Sequence, residues 1–163
     1  MSDLITTDLV RLDVDLGSDK HAVIRALAEI VGGAGRATDV SQLAEDTLAR
    51  EETSPTGLPG GIAIPHCRTA GVEEPTLAFA RLRPRVDFGA KDGPADLAFL
   101  IAAPAGGDST HLQLLTKLAR ALVKPAFVAS LREAESADEI VALVTDVVGV
   151  SVAAAAPAAP AAA

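Results

Sequence analysis

Residues Thr56–His66 read T-G-L-P-G-G-I-A-I-P-H. A glycine-rich turn feeds the wholly apolar segment Gly61–Pro65. With no polar residue, that segment as a strand would be covered on both faces. Its proline stops it and a histidine sits on the stop. The imidazole of His66 is thereby placed at the rim of a buried strand, within reach of solvent or a partner. Imidazole is a nucleophile and a proton carrier near neutral pH.

The flanks supply the layers that such a strand needs. Upstream, Val10, Leu12, Val14 and Leu16 alternate with Arg11, Asp13 and Asp15, the period of a half-buried strand over 9–16. Ser18 or Asp19 opens a helix with Ala22, Val23, Ala26, Leu27, Ile30 and Val31 on one side, and Gly32-Gly33 stops it. Asp39 with Gln42 resembles a capping box. The helix it opens turns Val40, Leu43, Ala44 and Leu48 inward and runs out near Arg50. Downstream, Thr76–Leu82 and Leu97–Ala102 are apolar β-like runs, separated by the turn-rich D-F-G-A-K-D-G-P. Pro104–Gly107 reads as a loop, and Asp108, Ser109 or Thr110 can cap a helix bearing Leu112, Leu115, Leu118, Ala119 and Leu122. Pro125 breaks that helix, and a shorter helical stretch follows to Ala134. Ser136 and Glu139 introduce a last one with Ile140, Val141, Val144, Val147 and Val148. Helices interleave with short strands, so the class is α/β: one domain over 1–150, with a central mixed β-sheet flanked by helices on both faces. The low-complexity segment 151–163, S-V-A-A-A-A-P-A-A-P-A-A-A, reads as a semi-rigid linker toward further protein or a disordered tail.

Composition excludes several functions. The 163 residues suit one domain with a real core. The net charge is −8 and no Lys/Arg cluster exists, which argues against nucleic-acid binding. The single cysteine, Cys67, forms no internal disulfide framework and fits a reducing compartment. The opening M-S-D-L-I-T-T-D does not read as a secretory signal. No segment reaches the ~20 continuous apolar residues of a membrane-crossing helix, so direct membrane insertion is not expected.

Three histidines and one arginine are candidates for chemistry. His21, in the first turn of its helix, reads as solvated surface. His111 begins a helix, where unpaired backbone N–H groups favour anions, but alone it is equally the end of a packing face. His66 is as readily a histidine bonded to a carbonyl as a functional one, and Arg50 at a helix end is ordinarily a solvated charge. There is no G-x-x-x-x-G-K-[ST] phosphate loop, no Cys/His cluster at zinc spacing and no G-x-S-x-G elbow. No metal or cofactor site is expected. Histidine, arginine, a helix N-terminus and glycine-rich loops together suit transient handling of a phosphoryl group, with one nucleophilic nitrogen and donors around the oxygens.

Over about residues 4–148 the chain resembles the fructose/mannitol-type enzyme IIA domain (EIIA type 2) of the bacterial phosphoenolpyruvate-dependent sugar phosphotransferase system. The most specific stretch is R-E-E-T-S-P-T-G-L-P-G-G-I-A-I-P-H, Arg50–His66. V-D-F-G-A-K-D-G-P-A-D-L-A-F-L-I-A-A-P and H-L-Q-L-L-T-K-L-A-R-A-L support it. The resemblance implies that His66 accepts phosphate from the histidine phosphocarrier protein, through Nε2, and passes it to a cysteine of an enzyme IIB domain, which can lie on the same polypeptide. It implies that His111 lines the same site, that Arg50 lies nearby, and that Thr56 and Gly57 belong to the phosphoryl-site loop. It also implies fructose uptake as the setting, or alternatively a regulatory IIA-like module whose phosphorylation is a signal. The location implied is cytoplasmic, either as a free IIA or tethered to the membrane's inner face through a larger permease. One departure stands out: Pro59 occupies a position where the family usually has Gly or Ala, so the loop's donor pattern is expected to differ.

Overall fold

A computed structural model describes residues 4–106 and 110–148, the side chains of 110–112 excepted. The segment 151–163, the Asp108 and Ser109 caps and the Leu112 side chain lie outside the described residues.

Two long antiparallel strands form the spine. In the label order used below, β1 is Val10–Val14, α1 Lys20–Gly33, α2 Val40–Thr53, β2 Gly57–Leu58, β3 Ile62–Ala63, β4 His66–Thr69, β5 Thr76–Val86 and β6 Ala95–Pro104. They are followed by α3 Thr110–Leu122, α4 Pro125–Glu133 and α5 Ala137–Val148. The spine pair is β5 and β6, with Phe79 opposite Phe99 and their rings 4.9 Å apart. Every residue of 76–80 and 97–103 is buried, so both faces of these strands are covered. Beside β5 lies β1, parallel; along the other edge of β6 run β3 and β4, also parallel; β2 closes on β3 antiparallel. Helices α1 and α2 pack on each other and on β5 and β4, while α3, α4 and α5 pack together, α3 against β6 and α5 against β1. The result is the expected α/β domain: a mixed six-stranded sheet between two groups of helices.

The strand expected over 9–16 is shorter. A 3-10 turn, Thr7–Leu9, precedes it, and its pairing shifts between Arg11 and Val14. There Asp13 takes φ 54, a left-handed conformation that aspartate tolerates, with its carboxylate held by Arg81 at 2.7 and 2.9 Å. Asp19 caps α1 by accepting from Ala22 N–H at 2.9 Å. Asp39 caps α2 by accepting from Gln42 N–H at 3.0 Å, but the Gln42 amide donates to Asp46 instead of reaching back. The capping box is therefore half formed, and α2 continues past Arg50 to Thr53.

The apolar run Gly61–Pro65 is not one strand ending at His66. It is β3, an interruption at Ile64–Pro65, and β4, which His66 opens. The interruption causes no slip: Ile62 faces Leu97, Ala63 faces Ala98 and His66 faces Ile101, the same offset of 35 each time (97 − 62, 98 − 63, 101 − 66). Pro65 has no N–H for the ladder, yet its carbonyl still accepts from Ile101 N–H at 3.1 Å. Among the described residues no helix is long and apolar enough to cross a membrane.

Candidate functional site

His66 Nδ1 lies 2.8 Å from the carbonyl oxygen of Ile64. A carbonyl can only accept, so Nδ1 carries the hydrogen and Nε2 the lone pair. The break in the strand makes this contact possible, because the Ile64 carbonyl turns to the ring two residues on. Residue Ile64 is also held through the preceding peptide, its N–H donating to Thr56 O at 3.3 Å. Burial of the half-exposed ring lowers its pKa from the ordinary value; the Ile64 bond raises it, the Arg50 charge lowers it and the Glu51 charge raises it, and the balance is downward. The site therefore favours a neutral imidazole, the form that can attack.

Arg50 occupies the last turn of α2. Its Nη1 donates to Thr53 Oγ1 at 3.3 Å and to the Ser54 carbonyl at 3.2 Å, while its charge reaches His66. His111 falls in the first turn of α3, which packs against β6, the neighbour of β4. Its side chain lies outside the described residues. His21 is exposed and lies 2.9 Å from Glu52 on the surface.

The loop residues are where the sequence places them, but their donors point inward. Thr56 is buried, and both its N–H and its hydroxyl donate to the Glu51 carboxylate, at 2.9 and 2.7 Å. Gly57 N–H donates to Phe88 O at 3.0 Å. These groups shape the loop from within instead of facing a phosphoryl oxygen. Glycine is required at 57, since a Cβ would stand 2.6 Å from Phe88 O and 2.7 Å from Ala90 N. The D-F-G-A block is thus a buttress under the loop, with the Phe88 ring fully buried beneath it.

Pro59 opens the turn 59–61 beyond the last ladder pair, Leu58 with Ile62, so its missing N–H removes no bond from the β2–β3 ladder. Gly60 and Gly61 then take φ 97 and 80. Gly60 N–H donates to Asp92 at 2.8 Å, and its carbonyl accepts from Arg132, which is also paired through two nitrogens with Asp96.

Glu51, Phe88 and Arg132 escape the sequence reading. Only Glu51 left a usable signal. Leu43, Thr47 and Glu51 recur at four-residue spacing along the buried face of α2, so a carboxylate sits on an inward stripe. Cys67, next to His66, faces the other way. Its thiol is 3.2 Å from Thr47 Oγ1, and burial pushes its pKa up to about 11. Among the described residues no three of His, Cys, Asp and Glu gather as a metal site.

Residues 3–147 match the family model described as phosphoenolpyruvate-dependent sugar phosphotransferase system, EIIA 2. The chain is 36% identical over 149 residues to a fructose-specific EIIA component of Haloferax volcanii, covering 91% of this chain and 96% of that one. It is 37% identical over 145 residues to the fructose-specific EIIABC component of Bacillus subtilis, covering 88% of this chain but only 23% of that longer protein. Among solved structures it is similar to the nitrogen regulatory protein IIA-Ntr of Neisseria meningitidis, with a TM-score of 0.78 and 31% identity over 87% of this chain and 97% of that one.

Proposed function

The chain belongs to the EIIA 2 family of the phosphoenolpyruvate-dependent sugar phosphotransferase system, and on that premise we propose that His66 is its phosphoryl carrier. It takes phosphate from the histidine phosphocarrier protein and passes it to a cysteine of an enzyme IIB domain. The Ile64 carbonyl on Nδ1 is the observation behind this reading, because it leaves Nε2 as the attacking atom. In acceptance, the Nε2 lone pair forms a bond to phosphorus while the donor's own N–P bond breaks. In donation, a thiolate attacks and the Nε2–P bond breaks. Such transfer asks for in-line placement and stabilised equatorial oxygens more than for covalent help. Arg50 supplies positive charge, and His111 a donor at the start of α3. Thr56 and Gly57 hold the loop. The transfer takes place in the cytoplasm, at the membrane's inner face where the chain is tethered to a permease.

Fructose as the sugar is supported by the Haloferax and Bacillus relatives, both named fructose-specific. The similarity to IIA-Ntr favours a second reading, a module phosphorylated as a signal. The two share His66, so the test has two parts. The protein is incubated with phosphoenolpyruvate, enzyme I and phosphocarrier, and the label is located by mass spectrometry under alkaline conditions. Label on His66, and none in His66→Ala, is the expected result; acid-labile phosphate on His66→Ala ends the assignment. Transfer onward to a IIB cysteine then separates transport from signalling.

A further inference from the structure

We infer that Glu51 is a positioning residue of the phosphoryl site: its buried carboxylate, by holding Thr56, helps place residue Ile64, whose carbonyl keeps the hydrogen on Nδ1 of His66. The inference rests on the carrier reading above and adds to it a residue on α2.

Four links in series carry it, the second made of two hydrogen bonds. Lys20 Nζ lies 3.7 Å from Glu51 Oε2 and offsets its charge. Glu51, 1% exposed, accepts from Thr56 N–H at 2.9 Å and from Thr56 Oγ1 at 2.7 Å. Thr56 O accepts from Ile64 N–H at 3.3 Å, and Ile64 O accepts from His66 Nδ1 at 2.8 Å. Two donors from one residue converge on one acceptor-only group, so Thr56 is fixed in both position and rotation. Its carbonyl belongs to the next peptide, whose Gly57 N–H is held by Phe88 O at 3.0 Å, so Glu51 and Phe88 together fix Thr56 from both sides, and through the Ile64 N–H they place the Ile64 backbone. Ile64 lies in the break between β3 and β4, where Pro65 provides no N–H. The hairpin contact with Thr56 therefore substitutes for part of the missing ladder. Without it, the Ile64 carbonyl is less firmly directed at the ring, and the Nε2–H tautomer, which cannot attack through Nε2, gains population.

The choice of residue makes the claim testable. Glutamine at 51 can still accept from Thr56 N–H and donate to the Thr56 hydroxyl, so Glu51→Gln keeps the geometry. Leucine keeps the bulk and keeps neither bond. In Glu51→Leu, ring 15N shifts of His66 should show the Nε2–H tautomer beside the Nδ1–H form. The turnover number for accepting phosphate from the phosphocarrier should fall by about tenfold or more, as misplacement does, with KM changed little. Glu51→Gln should retain the wild-type tautomer and rate within about twofold. Should Glu51→Leu fail to fold, Thr56→Val removes the hydroxyl bond alone and is expected to give a several-fold loss with the same spectral sign. A folded Glu51→Leu or Thr56→Val with the pure Nδ1–H form and wild-type turnover overturns the inference. If the wild-type protein takes no phosphate, the carrier reading fails instead, and the tautomer spectra still decide the role of Glu51.

Discussion

Replacing Gly57 by alanine tests whether the phosphoryl-site loop is held by close backbone packing. The new methyl would stand 2.6 Å from Phe88 O, 2.7 Å from Ala90 N and 3.0 Å from Phe88 C. These are main-chain atoms, which cannot rotate aside. Ordinary contact begins near 3.4 Å, so one segment must retreat by about 0.8 Å (3.4 − 2.6). Retreat is obstructed behind the turn, where the Phe88 ring is fully buried and Gly89 already lies tight against Pro55. Overpacking of this kind costs about 1–3 kcal/mol. Loss of the bond from Gly57 N–H to Phe88 O adds about 0.5–1.5 kcal/mol. Urea denaturation should therefore show Gly57→Ala less stable by about 1.5–4.5 kcal/mol. Phosphoryl acceptance should slow as well, since Thr56 moves with its neighbour. Gly33→Ala is the matched control. It lies at the end of α1 with no heavy atom within 4 Å of the added methyl, and should be neutral or stabilising by up to about 1 kcal/mol. A Gly57→Ala protein within about 0.5 kcal/mol of wild type, below the smallest overpacking cost, would refute the steric reasoning.

Three further outcomes follow from the titrating groups of β4. Burial lowers the His66 pKa below 6.5, so phosphoryl acceptance followed against pH should lose half its rate at a midpoint below 6.5; a midpoint above it contradicts the burial argument. Because the unfolded chain binds that proton more readily, His66 contributes a stability that rises with pH through the window from its folded pKa up to 6.5 and is lost on acidification, which denaturation of wild type and His66→Ala at several pH values will show. The Cys67 thiol, with its pKa pushed up to about 11, should resist a thiol-modifying disulfide reagent at pH 8 until denaturant is added, and prompt labelling of the native protein would mean that the thiol is not sealed under α2.

Periodicity made most of the layers legible. The alternation around Leu12, the caps Asp19 and Asp39 and the buried runs of β5 and β6 all follow from local pattern, because one face or both must leave water. The break at Ile64–Pro65 was not legible as two strands. An apolar run looks the same whether one ladder continues or pauses, and only pairing with β6 shows that register survives the pause. At the site, His66 and Arg50 could be picked out as residue types, whereas the partner of Nδ1 could not. A backbone carbonyl has no sequence signature, and the residue that supplies it, Ile64, is held by Thr56 across a hairpin. Arg132 belongs to the same class: its pairing with Asp96 and the Gly60 carbonyl joins α4 to the loop across 36 and 72 residues. Glu51 was hidden differently, in plain view on α2, because charged residues near a helix end are ordinarily solvated.

The pairing of His66 with Cys67 shows how position selects between two nucleophiles. Both side chains carry an atom able to accept phosphorus, and in the proposed cycle the phosphoryl group ends on a thiol. Adjacent residues of a strand point to opposite faces, so β4 sends the imidazole toward its partly open side and the thiol under α2. Burial then acts on the two side chains in opposite senses. It disfavours the charged form in each case, which removes the proton that would block the imidazole and retains the proton that blocks the sulfur. One environment, applied to a base and to an acid one residue apart, favours the imidazole over the thiol as acceptor, and in the proposed cycle the receiving thiol belongs to the IIB domain.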